Sequence, residues 1–294
     1  MVVTVTSMKG GVGKTTIAAM LARYLTLRDQ KKIIVVDMDP QGGASSILLG
    51  GQIDPPTLVD ILRLETEGIP SRELMSQAAR KSRHNEQIFV IPGHADLVSI
   101  ANAAPPLASL KYALESAPFP ENTVLIIDTG THPTLVEMGI VAADVVLIPV
   151  MLSQQTAKPT INTLKVALQH SLKRGALLPM GIGSANWEDR ELERWRRKLK
   201  TSQALSTMGF DVLTGIPYSR TILRGRWRYG TFPKKFIPVM DEICQFIFHE
   251  TSDEERSKKA NPASGQDQDQ LGGNGRGAQF DYALHAHMEA ANGR

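Results

Sequence analysis

The chain has 294 residues, 42% of them hydrophobic and 21% charged, which suffices for a large α/β domain and excludes global disorder. A single cysteine, Cys244, excludes a disulfide framework and a cysteine-ligated metal or iron–sulfur site within one chain. The net charge of +3 is uneven: residues 251–294 carry 5 Lys/Arg and 7 Asp/Glu, leaving the rest at +5. Taken in order, Val2 to Thr6 reads as a short apolar strand that runs into Met8-Lys9-Gly10-Gly11-Val12-Gly13-Lys14-Thr15-Thr16. A glycine-rich turn between strand and helix, ending Gly-Lys-Thr, is a phosphate cradle. Gly10, Gly11 and Gly13 admit backbone angles that a Cβ resists, so consecutive N–H groups can converge on an anion. The helix behind them, Thr15 to about Thr26, adds roughly half a positive charge at its N-terminus. Lys14 can reach terminal phosphates, and the Thr15 hydroxyl can hold Mg²⁺.

Lys31 to Asp37 is apolar without alternation and closes on an acid, the pattern of a buried parallel strand. Asp37-Met38-Asp39-Pro40-Gln41-Gly42-Gly43 follows, with its carboxylates where open α/β sheets bind ligands. Short helices are expected at Thr57 to Leu64 and Ser71 to Ala79, then a charged loop with a solvated His84 and a strand from Ile88 to Ile91. Helices from Ala95 to Ala101 and Leu107 to Ala117 are split by Pro105-Pro106. Val124 to Asp128 is a second apolar strand closed by an acid, suited to binding Mg²⁺ through water at Asp128. His132, in Asp128-Thr129-Gly130-Thr131-His132-Pro133, reads as a loop histidine rather than a catalytic one.

These three motifs resemble the ParA/MinD family of ATPases, over roughly residues 1–249, and are closest to the ParA-type partition ATPases. Lys9-Gly-Gly-Val-Gly-Lys-Thr-Thr resembles the family's deviant P-loop; Met8 stands where the general pattern has its first glycine. Asp37-x-Asp39-Pro-Gln-Gly resembles its second motif, and Val124 to Asp128 its Walker B strand. The resemblance implies that Lys9 reaches across a dimer interface to the partner's phosphates. It implies that Asp39 positions or activates the attacking water and that Asp37 supports Mg²⁺. It also implies an ATP-bound homodimer, sequence-independent DNA binding, and a ParB-like adaptor that marks the cargo and stimulates hydrolysis. The chain departs from the family after Asp128, where Asp-x-Pro-Pro is usual. The alternatives are a ParA-like ATPase for another cargo, such as a conjugation complex, and a MinD-like spatial regulator.

Further along, Leu135 to Ala142 reads as a helix, Asp144 to Pro149 as a strand, and Thr160 to Lys173 as an amphipathic helix. Leu177 to Ser184 is a strand that Pro179 and Gly181 mark as irregular or near an edge. Glu188 to Met208 is expected as one long helix and Phe210 to Ile216 as the last strand. From Tyr218 to Lys235 come Arg220, Arg224, Arg226, Arg228, Lys234 and Lys235, interleaved with aromatics and no acid, a polyanion-binding composition. Arg194, Arg197, Lys198 and Lys200 form a weaker set, since acids are interleaved with them. Phe236 to His249 closes the fold as a helix, and 251–294 reads as a disordered tail outside a 1–250 ATPase domain. The expected architecture is a doubly wound, mostly parallel sheet flanked by helices. No run approaches a membrane span, and neither a signal peptide nor a DNA-binding module is expected before the P-loop. The expected location is the cytoplasm, on the nucleoid.

Overall fold

The apolar runs become the middle of a mostly parallel sheet. In chain order the elements are β1 (Val2–Val5), α1 (Lys14–Asp29), β2 (Lys32–Met38), α2 (Gly43–Leu48), α3 (Leu58–Thr66), α4 (Arg72–Ala78) and β3 (Arg80–Lys81). Then come β4 (Ile88–Ile91), α5 (Leu97–Asn102), α6 (Ser109–Ser116), β5 (Thr123–Thr129), α7 (Pro133–Val141), β6 (Val145–Met151) and α8 (Gln154–Gln169). They are followed by β7 (Gly175–Ile182), α9 (Asn186–Thr201), α10 (Gln203–Thr207), β8 (Phe210–Val212), β9 (Ile216–Pro217) and α11 (Ile237–Phe248). This computed structural model describes residues 1–51, 53–170, 172, 174–183, 186–220 and 232–248. The expected tail and Arg224, Arg226 and Arg228 lie outside the described residues.

Strand order is β3-β4-β2-β5-β1-β6-β7-β8, with β9 also paired to β7. All pairs are parallel except β3 with β4. Strand alternation divides the unbroken apolar runs between two cores. Val3, Val5, Ile33, Val35, Val124 and Ile126 pack with Ile17, Leu21 and Leu25 of α1 and with Met240, Ile243 and Ile247 of α11. Ile34, Val36, Leu125 and Ile127 pack with Leu58 and Ile61 of α3, Leu110 of α6 and Leu135 of α7. Each such fully buried side chain contributes about 1.5–3 kcal/mol. The same alternation carries Asp37 and Asp128 to the α1 face, the side on which the phosphate loop enters its helix.

Several sequence expectations change. His84 is half-buried and its Nε2 lies 3.0 Å from the Ile47 carbonyl, so it is not simply solvated. Helix α8 starts at Gln154, not after Pro159; a proline in the second turn removes one i→i−4 donor without ending the helix. The long helix divides at Ser202, whose Oγ accepts from the Leu205 amide at 3.5 Å and starts α10. Phe210 to Ile216 divides into β8 and β9 around Gly215, whose φ is +98°. Strand β7 is interior, with β6 on one side and β8 and β9 on the other. Pro179 is tolerated there because it falls between the β8 and β9 pairings, where it owes no ladder donor. A Cβ on Gly215 would stand 2.7 Å from the Pro179 carbonyl oxygen, so the break needs glycine opposite the proline.

Candidate nucleotide site

The loop from Met8 to Gly13 lies at the carboxyl end of β1, flanked by β5 and β6. Gly11 and Gly13 have φ of +73° and +94°, the left-handed region that a side chain disfavours. Gly13 caps α1, and its carbonyl accepts from the Ile17 amide at 2.9 Å. A Cβ on Gly13 would also meet Met180 Cε at 2.8 Å, so β7 presses on the loop from behind. The Met8 amide donates to Thr163 Oγ1 at 3.2 Å, which ties the loop's start to α8. Val12 is buried, Thr15 and Thr16 are half-buried, and Gly10 and Gly11 face solvent.

Lys14 is buried and its Nζ donates to the Lys9 carbonyl at 3.2 Å. Burial lowers its pKa, against the opposing attraction of Asp128 and Asp39. Lys9 is half-buried, and among the described residues its ammonium has no ion pair or hydrogen bond.

The two strand-terminal acids sit side by side, Asp37 in register with Asp128 across β2 and β5. Both are fully buried, yet their surroundings differ. Asp37 Oδ2 accepts from the Ser45 amide at 2.7 Å and the Ser45 hydroxyl at 2.6 Å. Its Oδ1 accepts from the Asp39 amide at 3.2 Å. Burial pushes its carboxyl up to about 6, against the pull of the Ser45 bonds. Neither oxygen of Asp128 meets a donor in hydrogen-bonding geometry. Burial drives its carboxyl well above the ordinary range, and the charge of Asp37 adds to this, while the Thr15 hydroxyl and Lys14 oppose it.

An acid without a partner in a protein interior is costly, and a bound cation would relieve that cost. Asp128, the Thr15 hydroxyl and the nearby cradle therefore fit Mg²⁺ held against a phosphate. Asp37 fits less directly, since both of its oxygens already accept hydrogen bonds. Among the described residues no cluster of three or more His, Cys, Asp or Glu could hold a metal. Asp39 is half-buried at the rim, its Oδ1 accepting from the Gln41 amide at 3.0 Å.

The loop after Asp128 differs from the Pro-Pro pattern in a way the structure explains. A Cβ on Gly130 would lie 3.0 Å from Pro40 Cδ and 3.2 Å from Asp39 Oδ1, so glycine lets the two acid-bearing loops touch. His132 starts α7; its Nε2 is 3.3 Å from Asn102 Oδ1, and its Nδ1 is buried with no partner. Three residues to which the sequence reading gave no role belong to this site: Ser45 by its amide and hydroxyl, Gly93 by its amide, and Gly130 by close approach to Asp39.

The basic residues are only partly visible. Arg220, Lys234 and Lys235 are exposed. Lys235 Nζ donates to the Tyr218 carbonyl at 3.2 Å and lies 5.0 Å from the Phe236 ring centroid. On α9, Arg194 pairs with Glu191 at 3.5 Å and Arg196 with Glu193 at 2.7 Å. Glu188 turns inward and accepts from the Gly183 amide at 2.9 Å.

Comparison with known proteins agrees with this geometry. Residues 1–174 match a family model described as an AAA domain. Over 212 residues the chain is 32% identical to the chromosome partitioning protein ParA of Myxococcus xanthus, covering 68% of this chain and 71% of that one. The chain belongs to the ParA/MinD family of P-loop ATPases. Another member, the maintenance of carboxysome distribution protein A of Gloeothece citriformis, is 30% identical over 197 residues, 63% of this chain and 70% of that one. A plasmid partition protein of Borrelia burgdorferi, solved bound to AMPPNP, superposes with a TM-score of 0.65 at 18% identity over 85% of this chain and 98% of its own. At that identity the ParA-type fold alone is shared. As a ParA/MinD member the chain is a P-loop ATPase of the partition and positioning class. Among the described residues no helix is long and apolar enough to cross a membrane.

Proposed function

We propose that this chain is an ATP-dependent dimerising switch that binds duplex DNA without sequence preference and hydrolyses ATP to segregate or position a DNA cargo. One observation carries the reading: beside a buried cradle, Lys9 holds an ammonium with no partner among the described residues, on a loop whose Gly10 and Gly11 face solvent. Among the described residues, a Cβ on Gly10 would approach only the Thr131 methyl, at 3.9 Å, so the tip of the loop has room for a second copy. A second copy docked there would bring its own Lys9 to these phosphates, and the site would be completed in trans.

The backbone amides of residues 10–15 and the Lys14 ammonium would bind the phosphates, and Asp128 and Thr15 would hold the metal. Mg²⁺ when bound would neutralise charge on the transferred phosphoryl group. Asp39, half-exposed at the rim, would accept a hydrogen bond from the attacking water and orient it. Asp37 would support this loop from beneath. Dimerisation would bring two basic surfaces, built on Arg220, Arg224, Arg226, Arg228, Lys234 and Lys235, onto one duplex. A ParB-like adaptor bound to the cargo would then stimulate turnover, in the cytoplasm on the nucleoid. Relatives include carboxysome distribution proteins, so a cargo other than a replicon is the second reading.

The test is DNA binding in ATP across salt concentrations, alongside sedimentation. Three to four phosphate contacts per subunit should give a slope of roughly −5 to −7 in log K against log salt, and a dimer only with ATP. Replacing Arg224 and Arg226 by alanine should flatten the slope and weaken all sequences alike, with ATP binding intact. A monomer in ATP, or no DNA binding by the dimer, would overturn the proposal.

A further inference from the structure

We propose that Ser45 is the positioning residue of the site: it clamps the loop that carries Asp39 by holding the Asp37 carboxylate from two directions at once. The inference rests on the reading of Asp39 as the residue that orients water. Ser45 lies in α2 and is fully buried, as is Asp37. Its amide and its hydroxyl converge on one oxygen, Asp37 Oδ2, at 2.7 and 2.6 Å. The hydroxyl proton is thereby committed, and its oxygen accepts from the Gly93 amide at 3.2 Å, beyond the end of β4. The other carboxylate oxygen accepts from the amide of Asp39 itself, at 3.2 Å. The loop closes on itself where the Gly42 amide donates to the Asp39 carbonyl at 2.8 Å.

Asp39 is therefore fixed by its backbone, while its own side chain remains half-exposed. Two glycines make the clamp possible by close approach. A Cβ on Gly93 would stand 2.6 Å from the Asp37 carbonyl oxygen and 2.9 Å from that of Asp39. Gly130 closes the opposite side, its virtual Cβ 3.2 Å from Asp39 Oδ1. The end of β2 and the loop after β4 thus meet at one serine hydroxyl, while the loop after β5 packs against Asp39 and Pro40. Further, a Cβ on Gly43 would stand 3.2 Å from Thr15 Oγ1, so α2 begins against the cradle and the clamp is referenced to the phosphate loop. Water orientation tolerates little error, and the partners behind a reacting group commonly matter tenfold to a hundredfold.

The experiment compares wild type, Ser45→Ala, Ser45→Thr and, as a control on the exposed neighbouring position, Ser46→Ala. Hydrogen exchange of the nucleotide-free protein should show the 37–45 backbone exchanging at least about tenfold faster in Ser45→Ala and unchanged in Ser46→Ala. ATP turnover with DNA, divided by the number of nucleotide sites titrated calorimetrically, should fall about tenfold or more in Ser45→Ala. ATP affinity should stay within about twofold, and Ser45→Thr, which keeps the hydroxyl, should recover turnover to within about threefold. Normalising to titrated sites removes any loss from misfolded protein. Unchanged turnover per site in Ser45→Ala, or a loss confined to ATP affinity, would overturn the inference. Absent turnover in wild type, or normal turnover in Asp39→Ala, would instead overturn the reading on which it rests.

Discussion

Replacing Asp128 by asparagine should stabilise the free protein and disable the site together. The carboxylate sits fully buried with no donor on either oxygen, beside a second buried acid. Burial is the largest cause of its raised pKa, and the neighbouring Asp37 charge is the next. Asparagine keeps the shape and removes the charge. It leaves a buried amide incompletely paired, which costs about 1–3 kcal/mol, less than an uncompensated buried carboxylate. Lys14 loses part of its compensation and offsets some of the gain. A net stabilisation of about 1–2 kcal/mol is expected above neutral pH. A carboxyl whose folded pKa exceeds its unfolded one holds its proton more tightly when folded. Its penalty is absent below the unfolded value and grows as pH rises through the folded one. The advantage of Asp128→Asn should therefore be present at about pH 8 and nearly gone at about pH 4. Urea unfolding in EDTA, without nucleotide, measures it at both pH values. Calorimetry with ATP should show that the affinity gained on adding Mg²⁺ falls at least tenfold, which is about 1.4 kcal/mol. A variant less stable than wild type at about pH 8, or one whose gain does not depend on pH, would refute the reasoning.

Other outcomes follow from the same geometry. Lys14→Ala should abolish ATP binding in calorimetry, because the buried ammonium is the cradle cation drawn to Asp128 and Asp39; wild-type affinity would contradict this. Gly10→Val should bind ATP yet sediment as a monomer, since the side chain would project from an exposed loop tip where a second copy is proposed to dock. An ATP-dependent dimer of that variant would place the interface elsewhere. Asp39→Ala should bind ATP and DNA but turn over slowly, so that complexes on DNA outlive those of wild type in a competition assay; equal lifetimes would move the water-orienting role, with His132 the next residue to test.

Much of this protein was legible in one dimension. The cradle needs glycines at fixed places because a left-handed φ is a local demand, and Gly11 and Gly13 meet it at +73° and +94°. Apolar runs closed by an acid marked β2 and β5 because a strand buried on both faces can show no alternation. Charge composition also separated the acid-free run after Tyr218 from the α9 helix, where the structure pairs Arg194 with Glu191 and Arg196 with Glu193. Local pattern failed where a neighbour decides. Pro179 and Gly181 marked β7 as irregular or near an edge, which the shifted pairing between Met180 and Ile182 bears out, but they did not show that the gap between β8 and β9 falls opposite the proline. Asp37 and Asp128 read alike, each an acid ending an apolar strand. Only the fold distinguishes them, by giving one the amide and hydroxyl of Ser45 and leaving the other bare for a cation. The Gly93 contact to Ser45 spans 48 residues, and nothing in either short stretch announces the other. Backbone conformation and burial are written in neighbouring residues, whereas a hydrogen-bond partner is assigned only when distant strands come into register.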